Sequence, residues 1–203
     1  MTIAFWKLPS CDPLFMKFFD HWYKEPDRQR KVFKGTRPDA QAFTNPGIHA
    51  QDASPLRAEG QQAANKQIAT MIDAVKADFP TYLEVTGDPS IDWIHAFDSY
   101  YNEKRIKALI KESDPKDFSN LYFVSCCEFG ALIGHVFTQY RDGLEWLPDW
   151  PYWESGILDT NAGVRIHVFH WAIKKLSSYG VDDGYRAKFL ATINLIDRGW
   201  RPG

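Results

Sequence analysis

The stretch DFSNLYFVSCCEFGALIGHVFTQY, residues 117–140, decides the fold. Read as a helix, it is apolar on nearly every side, and only Glu128 and His135 interrupt its middle. A helix that is greasy all round belongs at the centre of a bundle rather than on its surface. The segments on either side supply helices to surround it. Asp12-Pro13 reads as a cap with proline at the first helical position, and Leu14, Phe15, Phe18, Phe19 and Trp22 follow at helical spacing to about residue 23. From Gln61, the residues Ala64, Ile68, Met71, Ile72, Val75 and Phe79 make one stripe that Pro80 is expected to stop. Gly87-Asp88-Pro89 restarts the chain, and Ile91, Ile94, Phe97, Tyr101, Ile106, Leu109 and Ile110 continue it. The stripe slips around Asn102, which leaves two helices or one bent helix open.

After Gly143 the character changes. The segment from residue 144 to 169 is rich in tryptophan and carries two turn signals, Pro148-Asp149 and Asn161-Ala162-Gly163. It reads as a small antiparallel hairpin with strands near 144–147 and 152–158. Val168, Trp171, Ala172 and Leu176 form a helix closing at Tyr179-Gly180, and Phe189, Ile193 and Ile196 form a last one over about 183–197. The expected architecture is therefore mainly α: a single helical bundle of about six helices around a buried central helix, with one small antiparallel β-hairpin. Between Lys24 and Glu59 the periodicity dissolves among Pro26, Pro38, Pro46 and Pro55, so a long irregular loop is expected at about 24–59. No composition shift divides the chain, and residues 1–203 read as one domain.

Composition narrows the function classes. A chain of 203 residues that is 44% hydrophobic suits one globular core. A net charge of -2 gives no global attraction to nucleic acid or anionic membrane. No uninterrupted apolar run reaches the roughly 20 residues of a membrane span, and the first residues lack the pattern of a signal peptide. Cys11, Cys126 and Cys127 are an odd set with one adjacent pair, not a disulfide framework, which points to a reducing, cytoplasmic setting. Cys126 and Cys127 lie in apolar surroundings with no basic neighbour and read as small buried hydrophobes.

Two ionisable groups on an apolar helix require partners. Glu128 and His135 are seven residues apart on one face, with an axial separation of about 10 Å. That is too far for one metal ion and comfortable for separate partners on neighbouring helices. His167 and His170, three apart at the start of the next helix, can face one metal, and Glu128 or His135 across the bundle would complete a mononuclear site. The competing reading is a set of satisfied core groups, with no metal and no other cofactor. Neither His-Glu-x-x-His nor paired Glu-x-x-His is present, and no nucleophile elbow, phosphate loop or dinucleotide fingerprint occurs.

Gly130 and Gly134 form G-x-x-x-G, which lets a neighbouring helix approach closely. The loop residues Lys24, Arg28, Arg30, Lys31, Lys34 and Arg37, with Phe33 among them, outnumber Glu25 and Asp27. Such a loop is a conceivable nucleic-acid contact, but a solvated segment is the favoured reading and nucleic-acid binding is not expected. Trp146, Trp150, Trp153 and Trp171 either stack on a sugar or aromatic ligand or form a minicore whose exposed rim meets a protein partner.

Gly130-Ala131-x-x-Gly134-x-Val136, then Gly143-x-x-Trp146, then Ile166-x-Val168-Phe169 resembles a pattern in uncharacterised bacterial helical proteins. Some of those resemble immunity or accessory proteins of toxin and secretion systems. The likeness covers about residues 117–180, and His135 stands where such proteins commonly carry Glu. It implies a bundle with a small hairpin and transfers no catalytic residue. The leading expectation is thus a non-catalytic protein that binds another protein, or a second copy of itself, through Trp146, Trp150 and Trp153. The alternative is a metal-dependent or small-ligand enzyme built on Glu128, His135, His167 and His170.

Overall fold

The central helix starts where its free amide groups find acceptors. A computed structural model of the chain describes residues 7–24, 27, 48–50, 56–178, 180 and 184–199. In it, α5 spans Leu121–Tyr140. The Asn120 side chain accepts from the Phe123 amide at 2.9 Å and Ser113 Oγ accepts from the Tyr122 amide at 2.8 Å, which supplies two of the first-turn donors. From Tyr122 to Phe137 nearly every residue of α5 is buried.

Among the described residues, six further helices surround it: α1 Cys11–Phe18, α2 Ala58–Leu83, α3 Ile91–Tyr100, α4 Glu103–Glu112, α6 Val168–Lys175 and α7 Tyr185–Asp197. The slip at Asn102 is a true break. Its side chain accepts from the Arg105 amide at 3.1 Å and starts α4 as a separate helix. Pro80 does not end α2, which runs on through Leu83 and closes at Glu84 in the left-handed region. A proline so near the C-terminus disturbs only the last turns, and the burial of Phe79 and Leu83 holds that end against the core. α1 begins one residue before Asp12, with Ser10 as its N-cap, and after Phe18 the chain tightens into a 3-10 turn at Asp20–Trp22. Phe97 of α3 stacks on Phe129 of α5 with centroids 3.9 Å apart.

The β element is larger than one hairpin. Strands β2 Leu144–Leu147, β3 Gly156–Asp159 and β4 Val164–Ile166 are joined by β1 Ile48–Ala50 in the antiparallel order β1-β4-β3-β2. The second strand begins at Gly156 because Tyr152–Glu154 folds as a 3-10 turn. β1 comes from the segment expected to be irregular. Most of the remainder of that loop, including Pro26, Pro38, Pro46, Pro55 and the basic residues Arg28, Arg30, Lys31, Lys34 and Arg37, lies outside the described residues, and its last residues belong to α2 from Ala58.

The two glycines of α5 admit two different neighbours. A Cβ on Gly130 would collide with Phe169 of α6, as a helix approach requires, whereas a Cβ on Gly134 would collide with the Trp146 ring of β2. By length and composition α5 does qualify as a membrane-spanning helix, contrary to the expectation from its interrupted apolar run, but most of it is covered by the rest of the fold.

Candidate functional site

The β3–β4 hairpin sets up a polar cluster inside the aromatic core. Its tip is the turn after Asp159, where Oδ1 of that residue accepts from the Asn161 and Ala162 amides at 2.9 and 3.2 Å. Ile157 pairs with Ile166 across the hairpin. A few residues beyond that pair stand Glu154 on one side and His167 on the other. His167 is the N-cap position of α6, and His170 lies in its first turn.

Glu154, His167 and His170 offer ligand atoms that all lie within 4.8 Å of one another. All three are buried, and Glu154 is wholly inaccessible. Glu154 Oε2 is 3.5 Å from His170 Nε2. The two imidazoles lie nearly parallel, with centroids 5.1 Å apart. A tetrahedral ion about 2.1 Å from each donor would hold neighbouring donors about 3.4 Å apart. The separation between Glu154 and His170 is close to that spacing, while the three donors together lie within 4.8 Å.

A second layer of groups fixes the carboxylate. The Tyr23 hydroxyl donates to Glu154 Oε1, and Trp153 Nε1 donates to the Tyr23 oxygen at 2.9 Å. Burial first, and the Glu154 carboxylate next, push the Tyr23 phenol well above its usual range, so it stays protonated and donating. Arg165 of β4 donates to the Glu154 backbone carbonyl and reaches Asp149 Oδ2 with both terminal nitrogens, at 3.3 and 3.2 Å. Ser155 closes the loop, accepting from the Asp149 amide at 2.9 Å. The turn that carries Glu154 is thus held from both ends. Such orienting contacts accompany most metal-binding carboxylates.

The other expected site residues stand elsewhere. Glu128 is buried on α5 facing α2, and burial, with the nearby Asp78 carboxylate, pushes its acid up to about 7. His135 is half-buried two turns further along α5, with Nε2 3.0 Å from Gln139 Nε2; burial and then Lys76 push its imidazole down. Neither belongs to the Glu154–His167–His170 cluster, so the histidine pair is completed by a residue of the tryptophan-rich loop and not by α5. The tryptophans also divide. Trp153 and Trp171 are buried, Trp146 wedges against Gly134, and Trp150 keeps partial exposure. Burial pushes the thiols up, that of Cys11 to about 12, and those of Cys126 and Cys127 further. All three thiols therefore stay protonated and unreactive near neutral pH.

No protein-family model, no curated protein and no solved structure matches this chain.

Proposed function

We propose that this protein binds one divalent transition-metal ion, of the zinc or ferrous type, through Glu154, His167 and His170. The observation that carries this reading is the convergence of three donors, from a loop, a strand end and a helix, within 4.8 Å in a fully buried setting. Two imidazoles and one carboxylate are the set that takes zinc in hydrolytic centres and ferrous iron in oxygen-activating ones. Three protein ligands also leave a coordination position for a further ligand, which is how metal ions do chemistry rather than only brace a fold. Tyr23, Trp153 and Arg165 would hold the carboxylate in place whichever ion is taken.

Native mass spectrometry after loading with zinc, iron(II) or manganese tests this. One ion per chain is expected, lost in both Glu154→Gln and His170→Ala. Wild-type protein that emerges metal-free from all three loadings overturns it. Glu154→Gln preserves side-chain volume and so keeps the test readable if the histidine variant fails to fold.

A second reading, binding to another protein or to a second copy of the chain, is favoured by one observation. Phe118 and Leu121, at the start of α5, are 48% and 54% exposed, and the Phe118 ring lies edge-on to Trp22 at 5.1 Å. This moves the contact surface from the buried Trp153 and wedged Trp146 to the mouth of α5. Sedimentation of Phe118→Ala and Leu121→Ala against wild type checks the self-association form. A monomer in every case removes that form.

A further inference from the structure

Trp153, which donates to Tyr23 in the polar cluster, also lines a cavity of about 340 Å³. Its walls are mostly aromatic: Trp22, Phe118, Trp150, Tyr152 and Trp153. Its polar lining includes Lys24, Asp27 and Gln67. This size falls at the lower end of ligand cavities, which run from about 300 to 1,000 Å³ and pair apolar walls with a few placed polar groups. The metal reading does not use this cavity, since none of its lining residues is Glu154, His167 or His170.

The chemistry of the lining narrows what fits. Five aromatic side chains favour a flat ring, which gains from edge and face contacts beyond simple burial. Lys24 contributes one positive group and Asp27 one negative group, so a ligand with a single charge satisfies one and is opposed by the other. A ligand with both charges close together satisfies both. The geometry points to a small aromatic zwitterion, the class of the aromatic amino acids, with its ring between the tryptophans, its carboxylate towards Lys24 and its ammonium towards Asp27. Gln67, carrying both an amide donor and a carbonyl acceptor, accommodates either polar end.

The test uses the full chain and three probes: L-phenylalanine, 3-phenylpropanoate, which lacks the ammonium, and phenethylamine, which lacks the carboxylate. Tryptophan fluorescence and calorimetry read the binding. L-phenylalanine is expected to bind about tenfold tighter than either single-charge analogue, the worth of one hydrogen-bonded charge. Lys24→Ala is expected to bring L-phenylalanine level with phenethylamine, and Asp27→Ala to bring it level with 3-phenylpropanoate. Lys24 is exposed and Asp27 only partly buried, so neither change threatens the core. No binding of L-phenylalanine at millimolar concentration, equal binding of all three probes, or affinity unmoved by both substitutions each overturns the proposal. Repeating the titration on chelated protein keeps the two readings apart: probe binding that survives chelation supports the cavity whether or not the cluster takes metal.

Discussion

Two glutamates are buried among the described residues, and they live under opposite conditions. Glu154 receives the Tyr23 hydroxyl on one oxygen and faces His170 with the other, while Arg165 holds its backbone. Glu128 lies in the helical half, where Asp78 on α2 and the phenols of Tyr82, Tyr101 and Tyr152 sense its charge and only the acid's protonation relieves it. The contrast teaches that burial alone does not mark a functional carboxylate. A site is recognised by the groups that converge on the carboxylate, and Glu154 has them where Glu128 does not.

The comparison breaks most severely at Arg165. Arg165→Met leaves the buried Asp149 carboxylate and the Glu154 carbonyl without their guanidinium, and a loss of about 3–5 kcal/mol is expected in urea unfolding. A variant as stable as wild type would mean that Arg165 braces nothing.

The helical half gives the next largest effect, with the opposite sign. A carboxyl raised in the folded state binds more protons there than in the unfolded chain between its two pKa values. The Glu128 contribution is therefore favourable below about pH 4.5 and is lost as pH rises through about 7. Glu128→Gln should flatten this slope and stabilise the protein at pH 8 by on the order of 2–3 kcal/mol. Unfolding midpoints measured from pH 5 to pH 8 decide it, and an unchanged slope would mean that Glu128 does not differ from an ordinary surface acid.

The smallest effect sharpens the contrast instead. Tyr23→Phe removes the hydroxyl that orients Glu154 and keeps the ring between Phe15 and Trp153. Stability should fall by about 1–3 kcal/mol, and metal affinity by about 10–100-fold. Competition with a zinc chelator measures the second number. A drop in stability without a drop in affinity would make Tyr23 a structural partner only.

How far the sequence reveals these features depends on the range of the interactions involved. The stripe from Ala64 to Phe79 and the all-round apolarity of α5 are local periodicities, and they locate the helices correctly. Pro80 reads as a stop because its local cost is visible in the sequence, whereas the tertiary burial of Leu83 that overrides it is not. β1 is three residues long and shows no alternation of its own. The pair His167 and His170 is legible from its spacing, but Glu154 is not, because it reads as one polar residue within a tryptophan-rich strand. The signal that finds it is the turn Asn161-Ala162-Gly163. Taken as the tip of a hairpin, that turn carries the chain back past Ile157 to Glu154 on one side and past Ile166 to His167 on the other. The expected pairing of residues 144–147 with 152–158 does form, between Leu144–Leu147 and Gly156–Asp159, but taken alone it does not reveal this second register. The partners of Glu128 stay invisible for a simpler reason, since Asp78 comes from a helix some fifty residues away in sequence.

The chain reaches across its own length to complete the cluster. Tyr23 and Glu154 are 131 positions apart, and Cys11 meets Ser177 across 166. During synthesis the N-terminal helix leaves the ribosome with Phe15, Phe18 and Phe19 uncovered, and the residues that will cover them are still untranslated. Phe18 rests on Tyr122 and Phe19 on Phe123, so until α5 and then α6 have been made the first segment lacks its dock, and that wait is the interval in which a nascent chain of this protein is most exposed to aggregation.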